Sequence, residues 1–279
     1  MLRRILLPIG EIETTQAATE VSIQLAHEFR GSVTCLATMQ LTPATAASVS
    51  AGFGAAYYDY PTIHQWENRL RSAAEGRLHR TSEHIVESGE HTETRIGEGQ
   101  PWSCIEEESL THDLIIVNRD AHFEGHGEDV PLRPGRTLKK LLDHSACPVM
   151  IVSQAPLKAE RVLVGIDGRV GSARALQQFL QSEVLQKAHV ILFWSDEYSD
   201  GPQPDLDSYK RYVTAHGRDC ETLQTSGMAR KKLLEVADQR DVDLVVVGAH
   251  GKPRFIEWIL GSSTRDFLME SRRALWVSS

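Results

Sequence analysis

The sequence is poor in the residues that build disulfide scaffolds or zinc modules. It has four cysteines in 279 residues, at positions 35, 104, 147 and 220, and no two of them have the C-x-x-C spacing. Scattered cysteines of this kind are typical of reduced, mostly buried thiols rather than of a disulfide framework. We therefore expect a reducing compartment and a cytoplasmic protein.

Long apolar runs are also missing. The longest stretches, such as residues 244–249, are far shorter than the roughly 18 residues that a membrane helix requires. Residues 1–8 are basic and then apolar, but the apolar part is too short for a signal peptide and no small-residue cleavage site follows. We predict no membrane segment and interpret residues 3–9 as a strand.

Positive charge is in deficit. The chain has 30 Lys and Arg against 38 Asp and Glu, a formal net charge of −8, and its pI is near 5.8. Nucleic-acid binding usually needs a basic face, so we predict no nucleic-acid partner. Apolar residues at 41% and charged residues at 24% are ordinary values for a folded protein, and the length predicts roughly two domains.

Familiar catalytic signatures are absent from the sequence as well. It has no G-x4-G-K-[ST], which excludes the P-loop route to ATP hydrolysis, and neither G-x-S-x-G nor H-E-x-x-H. No pair of acids or Cys/His couple at an informative spacing indicates a general base. A binding protein is therefore favoured over an enzyme.

The sequence does contain an internal repeat. Residues 4–10, RILLPIG, resemble residues 161–167, RVLVGID. Residues 113–118, DLIIVN, resemble residues 243–248, DLVVVG. The second copy is shorter in its middle. Repeats of this length indicate two copies of one structural unit.

Each copy alternates short β-branched runs with helical patterns, which is typical of βαβ units around a parallel sheet. The polar segment 154–160 contains a proline and suits a linker. We predict an α/β protein with two tandem Rossmann-like domains, residues 1–154 and 155–279. Each domain is expected to hold a mostly five-stranded parallel sheet flanked by helices.

The predicted elements follow the same pattern in both copies. The predicted strands are 3–9, 33–39, 92–96, 113–118, 148–152, 161–167, 189–195, 219–224, 243–248 and 274–278. The predicted helices are 15–30, 62–88, 101–111, 136–144, 171–187, 228–240 and 262–272. Two connections remain, of which residues 41–60 are predicted as a mobile loop or lid and residues 196–207 as a short acidic loop.

Glycines follow the fourth strand of the second copy. Gly248 and Gly251 come directly after the strand, and Gly261 follows nine residues later, before three hydroxyl residues that open a predicted helix. Ligands bind beyond the carboxyl ends of parallel strands, and glycines let backbone N–H groups approach a polyphosphate. A helix start with hydroxyl side chains also favours an anion. Glycines and a helix cap are common, however, so the full spacing matters more than its parts.

This spacing, G-x2-G-x9-G-S, together with Asp167 after the first strand of the copy, resembles the universal stress protein family. Nucleotide-binding members of that family carry G-x2-G-x9-G-[ST] after the fourth strand and an Asp after the first. The resemblance covers both copies and implies a tandem member with domains like those of the adenine nucleotide alpha hydrolases. It implies a stress-response regulator that binds ATP, or ADP or AMP, with Mg²⁺ as the ion that would accompany it.

The resemblance also implies a set of site residues in the second copy. Asp167 would lie near the ribose or the bound metal, and Trp194 marks, within one or two positions, the residue whose backbone meets the adenine. Lys252 would screen phosphate charge. The alternatives are a helix cap or turn residue for Asp167 and a solvated side chain for Lys252. The full predicted set is Gly165, Asp167, Trp194, Gly248, His250, Gly251, Lys252, Gly261, Ser262, Ser263 and Thr264.

The first copy departs from the motif. Asn118 and Ala121 stand at the first two glycine positions, Gly10 at the position of the acid, and Arg136 at the position of the motif serine. Cβ atoms there would crowd a polyphosphate, so we predict no ATP binding by the family's mode in this copy. Its loop carries further acids and histidines, interpreted as a solvated loop with metal binding as the alternative: His122, Glu124, His126, Glu128 and Asp129.

Three hypotheses of function follow. The first is a nucleotide-binding regulator whose halves pair through their last strands, residues 149–152 and 275–277, as an intramolecular pseudo-dimer; a further homodimer stays open. The second is slow ATP hydrolysis or self-phosphorylation, with a hydroxyl of residues 262–264 as acceptor. The third is a scaffold that binds no nucleotide.

Overall fold

The computed structural model describes residues 2–10, 12–39, 60–121, 123, 136–157, 160–196, 203–249 and 273–279. Its N-terminal half contains β1 (Arg4–Ile9), α1 (Ile12–Phe29), β2 (Ser32–Met39), α2 (Tyr60–Glu87), β3 (His91–Glu98), α3 (Pro101–Ser109), β4 (Leu114–Asn118), α4 (Arg136–His144) and β5 (Val149–Val152). Its C-terminal half contains β6 (Arg161–Gly165), α5 (Val170–Ser182), β7 (His189–Ser195), α6 (Leu206–Ala215), β8 (Cys220–Thr225), α7 (Ala229–Gln239), β9 (Leu244–Gly248) and β10 (Ala274–Ser278).

Helix α6 was missing from the sequence prediction, which had no element between residues 196 and 218. The helix begins after Asp205, whose carboxylate accepts a hydrogen bond from the Ser208 N–H at 3.1 Å. Leu206 and Val213 are buried on one side of it. An N-cap aspartate followed by apolar residues at helical spacing is the signal that could have identified this helix.

Two other predicted segments cannot be compared with the structure. Residues 40–59, most of the predicted lid, and the predicted helix 262–272 lie outside the described residues. Tyr60, placed at the end of the lid, is instead the first residue of α2.

The ten strands of the described ranges form one sheet in the order β3-β2-β1-β4-β5-β10-β9-β6-β7-β8. Neighbouring strands are parallel except β5 and β10, which pair antiparallel with Trp276 opposite Met150. The predicted α/β class is confirmed, with five parallel strands from each half. The antiparallel pair joins the two five-stranded sheets edge to edge, through the last strands that were expected to pair.

Helices cover both faces of this sheet. On β6, Val162 and Val164 belong to the core cluster that includes residues of α1, α2, α5 and α6, whereas Leu163 belongs to the second cluster, with residues of α3, α4 and α7. Strand β9 alternates in the same way. Strands that bury side chains on both faces have continuous apolar sequences. This explains why the apolar runs of the sequence predicted a parallel sheet covered by helices.

An aromatic pair packs on β10, the strand that meets β5 at the seam between the halves. Trp276 on β10 is fully buried, and its ring meets Phe179 of α5 edge to face, with centroids 5.7 Å apart and an interplanar angle of 76°. Its indole N–H donates to Ser278 Oγ at 3.1 Å. The guanidinium of Arg218 covers the Phe179 ring at 4.5 Å. Apolar packing, an edge-to-face ring contact and a cation–π contact therefore hold α5 against β10.

The segment predicted as a linker is bonded to the N-terminal half. The Gln24 side chain donates from Nε2 to the Leu157 carbonyl at 3.0 Å and accepts at Oε1 from the Leu157 N–H at 2.8 Å. Leu157 itself is buried in the core. The connection is thus fixed on α1 by two reciprocal hydrogen bonds.

All four cysteines are free thiols, as predicted. Burial raises the pKa of Cys35 to about 11 and that of Cys147 to about 12. These thiols are protonated at neutral pH and poorly nucleophilic. Within the described ranges no helix has both the length and the hydropathy to cross a bilayer.

We predict that Trp276→Ala destabilises the protein by about 3–5 kcal/mol, because it leaves a cavity at the seam beside Phe179. Urea denaturation followed by circular dichroism measures the free energy of unfolding. The control Leu110→Ala truncates a side chain that is 68% exposed and should change stability by less than about 0.5 kcal/mol. Equal effects of the two variants would contradict the importance of the seam.

His112 is a buried histidine that favours its neutral form. Its Nδ1 donates to the Glu108 carbonyl at 2.7 Å, so its Nε2 accepts from the Thr34 hydroxyl at 2.8 Å. Burial lowers the pKa of His112 below its ordinary value of 6.5. The unfolded chain therefore binds a proton at a higher pH than the native protein does.

We predict that stability is full above about pH 6.5 and falls as the pH drops below it toward the lower native pKa of His112. Urea denaturation of the wild type and His112→Gln at a series of pH values tests this. The variant should have a lower free energy of unfolding than the wild type at neutral pH, but this free energy should decrease less than that of the wild type when the pH is lowered. His144→Gln, at an exposed position, serves as control and should keep the wild-type slope. An unchanged slope in His112→Gln would contradict the prediction.

Candidate functional site

The order of the strands places a topological switch point between β6 and β9. From β6 the chain proceeds outward to β7 and β8, whereas β9 and β10 lie on its other side. In open α/β sheets the loops that leave such neighbouring strands diverge, and ligands bind in the crevice between them. The described residues at this edge include Gly165, the last residue of β6, with Asp167 two positions later, and Gly248, the last residue of β9, with Ala249 after it.

Four of the predicted site residues lie within the described ranges: Gly165, Asp167, Trp194 and Gly248. The other seven lie outside the described residues: His250, Gly251, Lys252, Gly261, Ser262, Ser263 and Thr264. The structure brings Gly165, Asp167 and Gly248 to the same edge of the sheet. The ligand-binding roles of the whole set stay predictions.

Gly248 allows β9 to pack against the start of α5. A Cβ at this position would lie 2.5 Å from the carbonyl carbon of Gly171 and 2.8 Å from the Ser172 nitrogen. The space beside Gly248 is therefore filled by the α5 backbone. The packing of α5 is therefore a sufficient reason for glycine at this position, and the predicted approach of a polyphosphate to its backbone stays a prediction.

Gly165 differs from Gly248 in this respect. A Cβ on Gly165 would lie 3.4 Å from Leu233 Cδ1 and 3.5 Å from Val247 Cγ1, both ordinary contacts with side chains. A Cβ could be accommodated at position 165, so steric crowding does not require glycine there.

Asp167 is held in a tight turn before α5. Its Oδ1 accepts two hydrogen bonds, from the Arg169 N–H at 3.0 Å and from the Ser172 hydroxyl at 2.6 Å. The Asp167 N–H in turn donates to Ser172 Oγ at 3.2 Å. Its Oδ2 lies 4.0 Å from Arg169 Nε. The carboxylate is therefore fixed through one oxygen, and the other oxygen faces a guanidinium.

Asp167 was interpreted either as a contact to the ribose or metal or as a helix cap or turn residue, and its hydrogen bonds bear on this choice. The N-cap residue of α5 is Arg169, not Asp167. Asp167 is a turn residue, because its side chain bonds the backbone two residues later. The turn uses only Oδ1, so Oδ2 can still contact a ligand group such as a ribose hydroxyl.

Trp194 lies inside β7, and the residue that follows the strand is Asp196. The Trp194 indole packs in the core, and its Nε1 is buried and has no hydrogen-bond partner among the described residues. The predicted strand 189–195 matches β7. The adenine contact assigned to Trp194, within one or two positions, stays a prediction.

Asp196 follows β7 and binds the loop after β8. Its Oδ1 accepts from the Gly227 N–H at 2.7 Å, and the Ser195 hydroxyl donates to the Gly227 carbonyl at 2.5 Å. Hydrogen bonds from Gly227 and Ser226 lower the pKa of Asp196. A carboxylate that is stabilised in its ionised form and bonded to a loop is a weak base, so this acid joins β7 to β8 rather than marking a catalytic centre.

Three residues near Asp167 were not identified from the sequence: Arg169, Ser172 and Tyr209. Arg169 and Ser172 contact the carboxylate directly, as described above. Tyr209 of α6 is half-buried, and its burial together with the charge of Asp167 raises its pKa. The order Asp167, Arg169, Ser172 before an apolar helix is a recognisable turn signal, whereas Tyr209 lies on the helix that was missed.

The corresponding edge of the N-terminal half is built differently. Asn118 is buried, its Oδ1 has no hydrogen-bond partner in the described part of the chain, and its carbonyl accepts from the Ala121 N–H at 3.1 Å. The next residue, Arg119, donates from its side chain to the Arg273 carbonyl at 2.7 Å. Gly10 supplies no carboxylate. The N-terminal half therefore has the Asn118 side chain, and the turn closed by the Ala121 N–H, at the sequence positions where the C-terminal half has Gly248 and the residues after it.

Metal ligands are not clustered in the ranges that the structure describes. No three His, Cys, Asp or Glu side chains there come close enough to hold an ion. The acid- and histidine-containing loop of the first copy lies almost wholly outside these ranges, with Phe123 as the one described position of 122–135.

Comparison with known proteins identifies the fold and the family. The sequence model of the universal stress protein family matches the chain twice, over residues 1–153 and 158–278. The universal stress protein Slr1230 from Synechocystis is 21% identical over 174 residues, which are 60% of this chain and 58% of that protein.

Solved structures include a universal stress protein from Archaeoglobus fulgidus, with a TM-score of 0.70, 19% identity, and coverage of 99% of this chain and 96% of that chain. Another is a universal stress protein in complex with cAMP, with a TM-score of 0.33 and 23% identity, covering 44% of this chain and 99% of that chain.

We predict that Gly248→Ala destabilises the protein by about 1–3 kcal/mol, because the new Cβ meets rigid backbone of α5. The matched control is Gly165→Ala, at the end of the adjacent strand, where the Cβ makes ordinary contacts and the change should stay within about 0.5 kcal/mol. Urea denaturation measures both. A Gly248→Ala protein as stable as Gly165→Ala would contradict the close approach of β9 to α5.

Proposed function

The chain belongs to the universal stress protein family, and we propose that it is a tandem, cytoplasmic member whose C-terminal half binds ATP or a related adenine nucleotide. In this proposal the bound nucleotide regulates the protein in a stress response. The observation that carries the proposal is the difference between the two crevices. The C-terminal one has Asp167 and the backbone of Gly248, whereas the N-terminal one has Gly10 and the buried side chain of Asn118.

The residues of the C-terminal crevice suit different parts of a nucleotide. Asp167 keeps one carboxylate oxygen outside the turn, and a carboxylate at the end of the first strand is well placed to accept hydrogen bonds from ribose hydroxyls. The main-chain amides and hydroxyls of Gly251, Gly261 and residues 262–264 would receive the phosphates. In this proposal Tyr209 of α6 forms a side wall near the ribose.

The N-terminal half has lost these features. Asn118 places a buried side chain at the strand end, and the turn closed by the Ala121 N–H occupies the start of the following loop. No acid follows β1 at the matching position. We therefore propose that this half binds no nucleotide in the same way and serves as a structural partner, as in an intramolecular pseudo-dimer.

The regulation we propose is a shift of population. A ligand changes a conformational equilibrium only if it binds one state better than another. Strand β9 ends at the crevice and pairs with β10, which pairs with β5 of the other half. A nucleotide that favours one arrangement of the end of β9 would therefore bind next to β10, the strand that forms the seam with β5.

Turnover is not part of this proposal. The described acids at this edge are engaged in holding loops, since Asp167 accepts two hydrogen bonds and Asp196 binds Gly227. Neither is arranged with a partner as a general base toward water. The crevice is therefore proposed to hold the nucleotide without cleaving it.

Calorimetric titration of the full chain with ATP, ADP, AMP and cAMP tests the proposal. We expect saturable binding of at least one of them, and we expect Ser262→Arg, which introduces the residue found at the matching N-terminal position, to weaken it by about tenfold or more. The reciprocal variant Arg136→Ser is the matched control and should bind as the wild type does.

Each other outcome has a defined meaning. The absence of heat with all four nucleotides, and of bound nucleotide released on denaturation, would reject the proposal in favour of a scaffold. Phosphate release from ATP that Ser262→Arg abolishes would reject a pure binding role in favour of an enzyme. Loss of binding in Arg136→Ser but not in Ser262→Arg would place the nucleotide in the other half.

A further inference from the structure

Arg169 lies beside the carboxylate that the nucleotide site depends on. It is the N-cap residue of α5, with extended backbone (φ −108°, ψ 164°), and its carbonyl accepts from the Ala173 N–H at 3.2 Å. Its own N–H bonds Asp167 Oδ1, while its side chain turns back toward Asp167 Oδ2. A single residue therefore approaches both oxygens of the carboxylate.

The guanidinium of Arg169 has unused donors. At 4.0 Å from Oδ2 it forms an ion pair with Asp167 but no hydrogen bond. Among the described residues its guanidinium donates no hydrogen bond, and the side chain is 34% exposed. Guanidinium groups carry five N–H donors in a planar arrangement that matches phosphate oxygens. These donors are free to bind an anion that enters the crevice.

A divalent ion fits Asp167 poorly. Magnesium needs near-octahedral oxygen ligands and is usually held through one or two carboxylates together with substrate phosphates. Oδ1 of Asp167 already accepts two hydrogen bonds, which leaves Oδ2 alone, and an ion at Oδ2 would meet the positive charge of Arg169. In the described part of the chain no second carboxylate, His or Cys joins Asp167 to form a metal group.

We infer that the guanidinium of Arg169 takes the place of a divalent ion at Asp167, so that a nucleoside phosphate binds this half without Mg²⁺ and through direct contact with Arg169. This inference rests on the proposed function. It differs from the metal role that the sequence implied for Asp167. The N-terminal half lacks both residues, because Gly10 and Ile12 stand at the matching positions of its repeat.

Nucleotide affinity measured with and without Mg²⁺ tests the inference. Calorimetry with ATP and ADP in excess Mg²⁺ or in EDTA should give wild-type dissociation constants that agree within about twofold, while Arg169→Gln should weaken binding in EDTA by about tenfold. Arg169→Lys should keep most of the affinity because it keeps the charge. Arg240→Gln is the charge-matched control, since Arg240 pairs with Glu221 away from this edge. A wild-type protein that binds only with Mg²⁺ would overturn the inference.

A second measurement needs no nucleotide. Mn²⁺ added to the wild-type protein should leave the amide NMR signals of residues 167–172 sharp, because Arg169 keeps a divalent ion away from Oδ2. Selective paramagnetic broadening of these signals would overturn the inference. If no nucleotide binds to the wild type, the proposed function fails, and the Mn²⁺ titration still decides whether Arg169 excludes the ion.

Discussion

The antiparallel pairing of β5 with β10 is the interaction on which the architecture depends. Each half alone would end in a strand with unpaired backbone groups at the sheet edge, which is a liability for any β-sheet protein. Pairing these strands converts two exposed edges into the centre of one ten-stranded sheet. The cores then become continuous on one face of the sheet, because a single cluster of buried side chains includes Met150 of β5 and Trp276 of β10.

A shared sheet lets the two halves diverge in function while keeping one structure. The seam requires apolar residues on β5 and β10. It does not involve the loops at the carboxyl ends of β4 and β9, so the residues of these loops can differ between the halves. Asn118 can therefore replace a glycine in the first half, and Gly248 can persist in the second, where α5 approaches too closely for a Cβ.

The strands could be predicted from the sequence because each combines a short β-branched run with flanking turn residues, and burial on both faces makes the run apolar throughout. Helix α6 was missed because it follows an acidic, proline-containing stretch that resembles a loop, and its cap at Asp205 was not recognised. The merged sheet could be anticipated only through the family resemblance, since no local pattern shows which edges meet.

The site was predicted less completely than the fold. The glycine spacing and Asp167 were assigned through the family resemblance, whereas the positions of Arg169 and Ser172 depend on a turn that brings both residues back to one carboxylate. For Gly248 the structure adds a packing reason for glycine, the close approach of α5. The sequence spacing reports that a Cβ is absent and does not tell whether a ligand or a neighbouring helix fills the space.

The close contact of Gly248 with the start of α5 has a mechanical consequence. Gly248 meets this helix at Gly171 and Ser172, and seven residues after Ser172 the helix carries Phe179, the partner of Trp276. An α-helix rises about 1.5 Å per residue, so roughly 10 Å of stiff rod separates the two contacts. Because α5 is one continuous helix, it connects the contact at Gly248 to the contact between Phe179 and Trp276 by a rigid route that does not pass through the strands of the sheet.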